Sequence, residues 1–240
     1  MSYNIHFGGI GREERIAEVI REAGADIVLL QEATAPQVVE KLSNLTQMPF
    51  CVSEKGHSTA SLSRTEPKHY EWHLHRKLQR AVLEIRFDGI RIYNVHLRAT
   101  HSNYTERSRM REVTALLENL KTVNDEFHLL AGDFNTLAPG ELLDMQKLPM
   151  RYRLLAMVLG GRVTYRAIKM MLNGGYVDAY RSLHTEEGWT FPAWDPHVRL
   201  DYVFVPQKYA DRVRSCDVMN DIREPAKATD HLPLVAEIDI

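Results

Sequence analysis

Apolar positions recur along the chain with two periods, and the alternation between them predicts an α/β protein. Ile16, Val19, Ile20 and Ala23 fall on one helical face. Glu13 and Glu14 sit in that helix's first turn, and Gly24 suits its end. Asp26 to Gln31 is instead a nearly unbroken apolar run of strand length, as in strands buried on both faces. A short strand over Tyr3–Phe7 precedes this pair, so strand, helix and buried strand open a layered α/β arrangement. A second helix is predicted over 35–45. Short strands follow at 50–53, 59–63, 80–87 and 90–96, with Asp88-Gly89 as the hairpin turn between the last two. Met110, Val113, Leu117 and Leu120 form the buried stripe of a long helix over 105–121. Phe127–Ala131 is another buried strand, short helices fill 139–173, and strands return at 201–205, 213–219 and 234–239. Units of this kind mixed with hairpins predict two packed sheets flanked by helices.

Composition narrows the picture without redirecting it. A chain of 240 residues, 44% hydrophobic and 26% charged, is long and apolar enough for one well-filled core, and one domain over 1–240 is expected. The net charge of −2 excludes a globally basic surface, so contact with nucleic acid would need a local patch. Two cysteines, Cys51 and Cys216, make no disulfide framework and are expected as reduced thiols. No signal peptide or membrane span is visible, and a cytoplasmic location is expected, with secretion after removal of a leader left open.

Polar groups gather at the ends of the apolar strands. Asn4 lies in the first, Glu32 follows the second, His96 ends the 90–96 strand and Asp133-Phe134-Asn135 follows Leu129–Ala131. Asp201 opens Val203–Val205, and Asp230-His231 precedes the last strand. Ligands of α/β sheets bind outside strand ends. Carboxylates with amides suit a hard cation such as Mg²⁺, with Mn²⁺ as a substitute. Zinc is disfavoured, because the cysteines are far apart in sequence and no His-Glu-x-x-His helix is present.

Six segments in order carry a family resemblance: Asn4-Ile5-His6, Leu30-Gln31-Glu32, Asn94-Val95-His96-Leu97, Gly132-Asp133-Phe134-Asn135, Arg199-Leu200-Asp201-Tyr202 and Asp230-His231-Leu232-Pro233-Leu234. Together they resemble the motifs of the endonuclease/exonuclease/phosphatase, or exonuclease III/DNase I-like, family. Gly175 to Arg181 and Trp189-Thr190-Phe191 resemble segments of its bacterial members. The resemblance implies a four-layer sandwich of two mixed β-sheets flanked by helices, and a divalent-metal-dependent phosphoesterase.

It also implies roles. Glu32 is the principal metal ligand, Asn4 an accessory ligand and Asp230 a group at the metal edge. Asp133 aligns or deprotonates the attacking water, and Asn135 holds that water or the phosphate. His231 donates to a phosphate oxygen with Asp201 fixing its ring. His96 stands where members carry a leaving-group acid or a phosphate-binding side chain. His6 is left outside the core site. The brief turn Phe7–Gly11 departs from the family pattern but removes no chemical group.

For the substrate, basic and aromatic residues mix in His69–Lys77, and Arg98, Arg107, Arg109 and Arg111 cluster in the next segment. Arg107 and Arg109 are candidate phosphate-backbone contacts, and Tyr70 or Trp72 candidate stacking groups. These favour a phosphodiester substrate, DNA or RNA, with no obligatory protein partner. The segment 145–171 carries five of the nine methionines among arginines. It is read as helices packed on the sheet with snorkelling arginines. It keeps open a lipid head group or small phosphorylated metabolite as substrate, and a silent binding module is the non-enzymatic alternative.

Overall fold

A computed structural model describes residues 1–99, 103–123, 126–141, 147, 165–221 and 225–240. The first sheet runs β11 (Val213–Val218), β12 (Leu234–Ile238), β1 (Ser2–Asn4), β2 (Ile27–Gln31), β4 (Thr59–Ser63), β3 (Phe50–Val52). The second runs β5 (His69–His73), β6 (Val82–Phe87), β7 (Ile90–His96), β8 (His128–Asp133), β10 (Asp201–Pro206), β9 (Tyr176–Asp178). Each sheet holds one parallel pair, β1 with β2 and β7 with β8, among antiparallel neighbours.

Helices α1 (Glu13–Ala23) and α2 (Pro36–Thr46) cover the first sheet through Ile16, Ile20, Val39 and Leu42, which pack on Tyr3, Val28 and Leu30. Helices α3 (Asn103–Leu120) and α4 (Arg166–Asn173) cover the second through Val113, Leu116, Ile168 and Met171. Leu29, Leu83, Ile92, Leu129, Val203 and Leu234 fill the space between the sheets. The four layers expected from the pattern are present.

The registers explain why the polar strand ends meet. Asn4 pairs with Gln31, His96 with Asp133, and Asp133 with Asp201, so the chemistry lies along one edge. A buried amide pair fixes the sheets to each other. Gln31 Nε2 donates to Asn94 Oδ1 (2.8 Å), and Asn94 Nδ2 donates to the carbonyls of Leu30 and Ala60 (3.0 and 2.9 Å). An amide buried between two apolar layers is costly unless paired, so this set selects one relative placement of the sheets.

Several expectations are corrected. The first strand ends at Asn4 rather than Phe7, because His6 and Phe7 take left-handed backbone (φ 48° and 47°) and Gly8 and Gly9 continue the turn. His69–His73 is a strand on the sheet edge, which a segment exposed on both sides does not advertise. Trp72 within it stacks on His57 and donates to the Thr59 carbonyl, so it is not a free stacking group, whereas Tyr70 is exposed. On α3, Arg109 is not a surface contact. It is 3% exposed, bonded to Glu106 (Nε–Oε2 3.1 Å) and to the Arg98 carbonyl (3.1 Å). Arg107 on the same helix is exposed, as expected. Most of the methionine-rich segment lies outside the described residues. Cys51 and Cys216 are both free, and no helix among the described residues is long and apolar enough to cross a membrane.

Gly132 is the tightest backbone approach near the site. Its φ is 148°, and a Cβ there would lie 1.8 Å from the Val95 carbonyl oxygen on the paired strand. Gly132→Ala must therefore break the β7–β8 pairing that aligns His96 with Asp133. A stability loss on the order of 4 kcal/mol is expected in urea unfolding; an unchanged midpoint would contradict the packing described.

Candidate active site

The site is built around the Asp133 carboxylate, at the C-terminal end of β8 and 1% exposed. Its Oδ2 accepts from Asn4 Nδ2 (3.0 Å) and from Asn135 Nδ2 (3.0 Å), and its Oδ1 accepts from the Asn135 backbone N–H (2.8 Å). The last bond is a local turn of the kind aspartate makes two residues ahead. Here it also bends Asn135 into left-handed backbone (φ 51°) and points its amide back at Asp133 and the Leu97 carbonyl (3.2 Å).

His231 faces the same carboxylate. Its Nδ1 pairs with Asp201 Oδ2 at 2.8 Å, and its Nε2 stands 3.9 Å from Asp133 Oδ2. Phe191 packs on the ring at 5.0 Å. Burial alone would lower the imidazole's pKa, but the Asp201 contact, with Asp133 and Asp230 beyond, raises it to about 10. Asp133 moves upward as well. Burial disfavours its charge, His231 opposes that, and Asp201 adds to it. The protein therefore holds an imidazolium against a carboxylate whose proton affinity is raised.

His96 closes a third side, its Nε2 4.0 Å from Asp133 Oδ2. Burial, with Arg80 and His231 nearby, keeps its pKa well below the usual imidazole range. The ring is thus neutral, and neither nitrogen has a partner among the described residues. A neutral ring fits contact with a phosphate oxygen better than the leaving-group acid that the family resemblance also allows.

The oxygen-rich side belongs to the first sheet. Glu32 follows β2 in left-handed backbone (φ 54°), its Oε2 accepting from the Phe7 N–H (2.8 Å) and its Oε1 lying 3.5 Å from Asn4 Nδ2. Asn4 Oδ1 accepts from the His6 N–H (3.0 Å). Asp230 Oδ2 pairs with His6 Nδ1 at 3.0 Å. Glu32, Asn4 and Asp230 are hard oxygen donors, and Glu32 has no cationic side chain beside it among the described residues, so a divalent cation fits there. Asp133, Asp201 and His231 also lie within 4.8 Å of one another. That group fits less well, because the His231 imidazolium already balances its carboxylates and Nδ1 is bound to Asp201.

Eight of the ten expected site residues therefore meet here: Asn4, Glu32, His96, Asp133, Asn135, Asp201, Asp230 and His231. Arg107 and Arg109 do not. Three further groups join them. His6 lies within the Asn4-Ile5-His6 motif and pairs with Asp230. Thr229 donates to the Asn4 carbonyl (2.8 Å), tying the last loop to the first strand. Arg80, bonded to the Leu97 carbonyl (3.0 Å), lies in an irregular loop with no periodic signal to mark it.

A profile of the endonuclease/exonuclease/phosphatase family matches residues 1–231. The chain belongs to that family. It is accordingly a hydrolase of phosphate esters, and dependence on a divalent cation goes with the family. Among solved structures, the fold matches that of the 3′ phosphatase NExo from Neisseria bound to a product DNA hairpin, with TM-score 0.75. It also matches the 3′–5′ exonuclease NExo from Neisseria meningitidis (0.72) and an AP endonuclease from Archaeoglobus fulgidus (0.74). Each is 20% identical, with 100% of this chain and 98% of the other covered, which establishes the fold. No curated protein matches the sequence.

The raised His231 pKa links the site to stability. A group held above its ordinary value of about 6.5 contributes fully below that value and loses its contribution as pH rises through about 10. In chelator, Asp201→Asn should cost roughly 3 kcal/mol near pH 6. The difference from wild type should narrow above about pH 10, where the ring is neutral in both. Denaturant melts at the two pH values check this, and a pH-independent difference would refute the ion-pair assignment.

Proposed function

We propose that the protein is a Mg²⁺-dependent phosphodiesterase acting on nucleic acid. The observation that carries the chemistry is Asp133, held by two amides and facing the His231 Nε2 at 3.9 Å. Hydrolysis of a phosphate ester needs an aligned nucleophile, neutralisation of the developing charge and help for the leaving oxygen. Asp133 accepts a hydrogen bond from the attacking water and takes its proton, a role its raised proton affinity suits. His231 donates from Nε2 to a non-bridging phosphoryl oxygen, and Asp201 keeps its Nδ1 proton in place. Asn135 and the neutral His96 fix the phosphate from the side of the second sheet. Glu32 and Asn4, with Asp230 adjoining, would hold the cation, which when bound would supply polarisation of the phosphoryl group and charge stabilisation for the leaving oxygen.

Two observations support nucleic acid as substrate. Arg107 is an exposed cation on α3, the helix that follows the loop after His96. In addition, a protein of the same fold was solved with a product DNA hairpin. Nothing among the described residues favours a lipid head group, because most of the segment that raised that alternative lies outside them.

Chelator should abolish hydrolysis and Mg²⁺ or Mn²⁺ restore it, while Glu32→Gln should demand more metal. Full turnover in metal-free buffer would overturn the cation reading. His231→Ala and Asp133→Asn should each lower kcat by roughly 10²–10⁴-fold. The double variant should lose much less than the product of the two, because groups acting as a unit are non-additive.

Substrate class is tested separately with single- and double-stranded DNA, RNA and a small chromogenic phosphodiester. Arg107→Ala should weaken polynucleotide binding and reduce the magnitude of its log–log salt slope by about 0.7–0.9, the share of one phosphate contact. Cleavage of the small diester should be unaffected. A salt slope unchanged in Arg107→Ala would remove α3 from the substrate surface.

A further inference from the structure

We infer that His6 supplies a nitrogen ligand to the divalent-cation site, with Asp230 behind it as the carboxylate that orients the ring. The inference rests on the reading of Glu32 and Asn4 as cation ligands and reassigns the part Asp230 plays beside them. Asp230 is already engaged by the ring. Its Oδ2 stands 3.0 Å from His6 Nδ1, and Oδ1 lies 3.3 Å from Thr229 Oγ1, whose proton goes to the nearer Asn4 carbonyl. An imidazole that gives its Nδ1 proton to a carboxylate carries a lone pair on Nε2. That nitrogen has no hydrogen-bond partner among the described residues. A carboxylate behind a histidine is the usual way a protein fixes the tautomer and orientation of a metal-binding ring.

Backbone hydrogen bonds tie the turn that carries this ring to the oxygen donors. The His6 N–H is held by Asn4 Oδ1 (3.0 Å), and the N–H of Phe7 by Glu32 Oε2 (2.8 Å). The two proposed oxygen ligands thus anchor the turn that carries the histidine. His6 adopts φ 48°, a conformation that is unfavourable for a non-glycine residue and persists only where its surroundings enforce it. Arg12 supplies that enforcement. It donates to the carbonyls of Ile5 (3.0 Å) and His6 and, through its other terminal nitrogen, to the Ala228 carbonyl (2.6 Å). One guanidinium therefore ties the His6 turn to the loop that delivers Asp230. The side chain of His6 remains 34% exposed, so the ring is accessible to a solvated ion.

A purely structural ion pair and a ligating histidine make different predictions. Imidazole is preferred by Fe²⁺, Ni²⁺ and Zn²⁺, and Mn²⁺, the first and weakest member of that series, accepts it more readily than Mg²⁺, which takes oxygen. With a nitrogen in the set, the wild-type protein should favour Mn²⁺ over Mg²⁺, and His6→Asn should reduce that preference about tenfold in calorimetric titrations.

The direct test is pulsed EPR on the Mn²⁺-loaded full chain, with natural-abundance and ¹⁵N-histidine-labelled protein compared. The wild type should show nitrogen modulation from a bound imidazole that changes isotope with the label. The modulation should vanish in His6→Asn and persist in His231→Asn, with circular dichroism confirming the fold and His6→Gln as the second variant. Mn²⁺ bound without histidine modulation would overturn the inference and leave Glu32 and Asn4 as ligands. Modulation that survives His6→Asn but disappears in His231→Asn would place the ion at Asp133, Asp201 and His231, overturning both readings. Failure to bind Mn²⁺ at all would remove the cation site and the inference with it.

Discussion

The burial of one carboxylate organises this molecule. Asp133 ends a strand covered on both faces, where an isolated negative charge would cost several kcal/mol. The cost is met by hydrogen bonds from the Asn4 amide of the first strand and from the Asn135 main chain and side chain two residues on, and by the charge of the His231 ring in the last loop, 3.9 Å away. Two of these contacts, those of Asn4 and His231, fail if the two sheets slide on each other. The requirement that satisfies a buried charge is thus the same requirement that assembles a reactive group. The residual mismatch, a carboxylate still pushed towards its neutral form beside an imidazolium, is what makes Asp133 basic enough to act.

A second buried charge performs a purely mechanical task. Arg199 is fully buried, and its guanidinium is bonded to Asp178 (3.0 and 2.5 Å) and Glu141 (2.8 and 3.1 Å) while lying 4.4 Å over the Tyr202 ring. It stands two residues before Asp201. Asp178 comes from the Gly175–Arg181 segment and Glu141 from the stretch after Asn135, so the ion triad pins the strand that presents Asp201 to both. Removing either acid would leave a buried cation short of a partner, a defect more serious than the loss of a surface pair. Two sequence motifs that look independent are in this way halves of one clamp. Glu106 works similarly on the other flank, accepting from Arg109, from Thr136 Oγ1 (2.9 Å) and from the Ala167 N–H (2.8 Å).

These clamps mark the boundary of what the sequence makes legible. Runs such as Asp26–Gln31 and Phe127–Ala131 announce buried strands because their apolar content has no other stable place. The groups at their ends could be located for the same reason. The motif order then supplied roles that no single tetrapeptide would. Charge on a helix is ambiguous in a way apolar periodicity is not. Arg107 and Arg109 look equivalent in the sequence, yet two residues turn a helix by about 200°, so one reaches solvent and the other Glu106. Short edge elements were lost for a related reason. Strand β5 is exposed along most of its length and β9 has three residues, so neither carries a burial period to read. His6 reads in the sequence as a structural strand-end histidine, because its place depends on a left-handed turn, and φ > 0 at a non-glycine residue leaves no compositional trace.

The site divides along the seam between the sheets. Glu32, Asn4 and the His6 turn come from the first sheet and supply oxygen-rich groups, Asn4 buried and Glu32 and His6 half-buried, which are the proposed ligands. Asp133, Asn135, His96 and Asp201 come from the second and supply the buried groups proposed to hold or move a proton. Asn4 touches both halves, its Nδ2 reaching Asp133 at 3.0 Å and Glu32 at 3.5 Å. The spacing between charge neutralisation and proton transfer is therefore not set by any loop. It is set by how two rigid sheets pack, and the Gln31–Asn94 bridge fixes that packing. Loops can then vary around the rim, altering which phosphate ester enters, without disturbing the distance on which its hydrolysis depends.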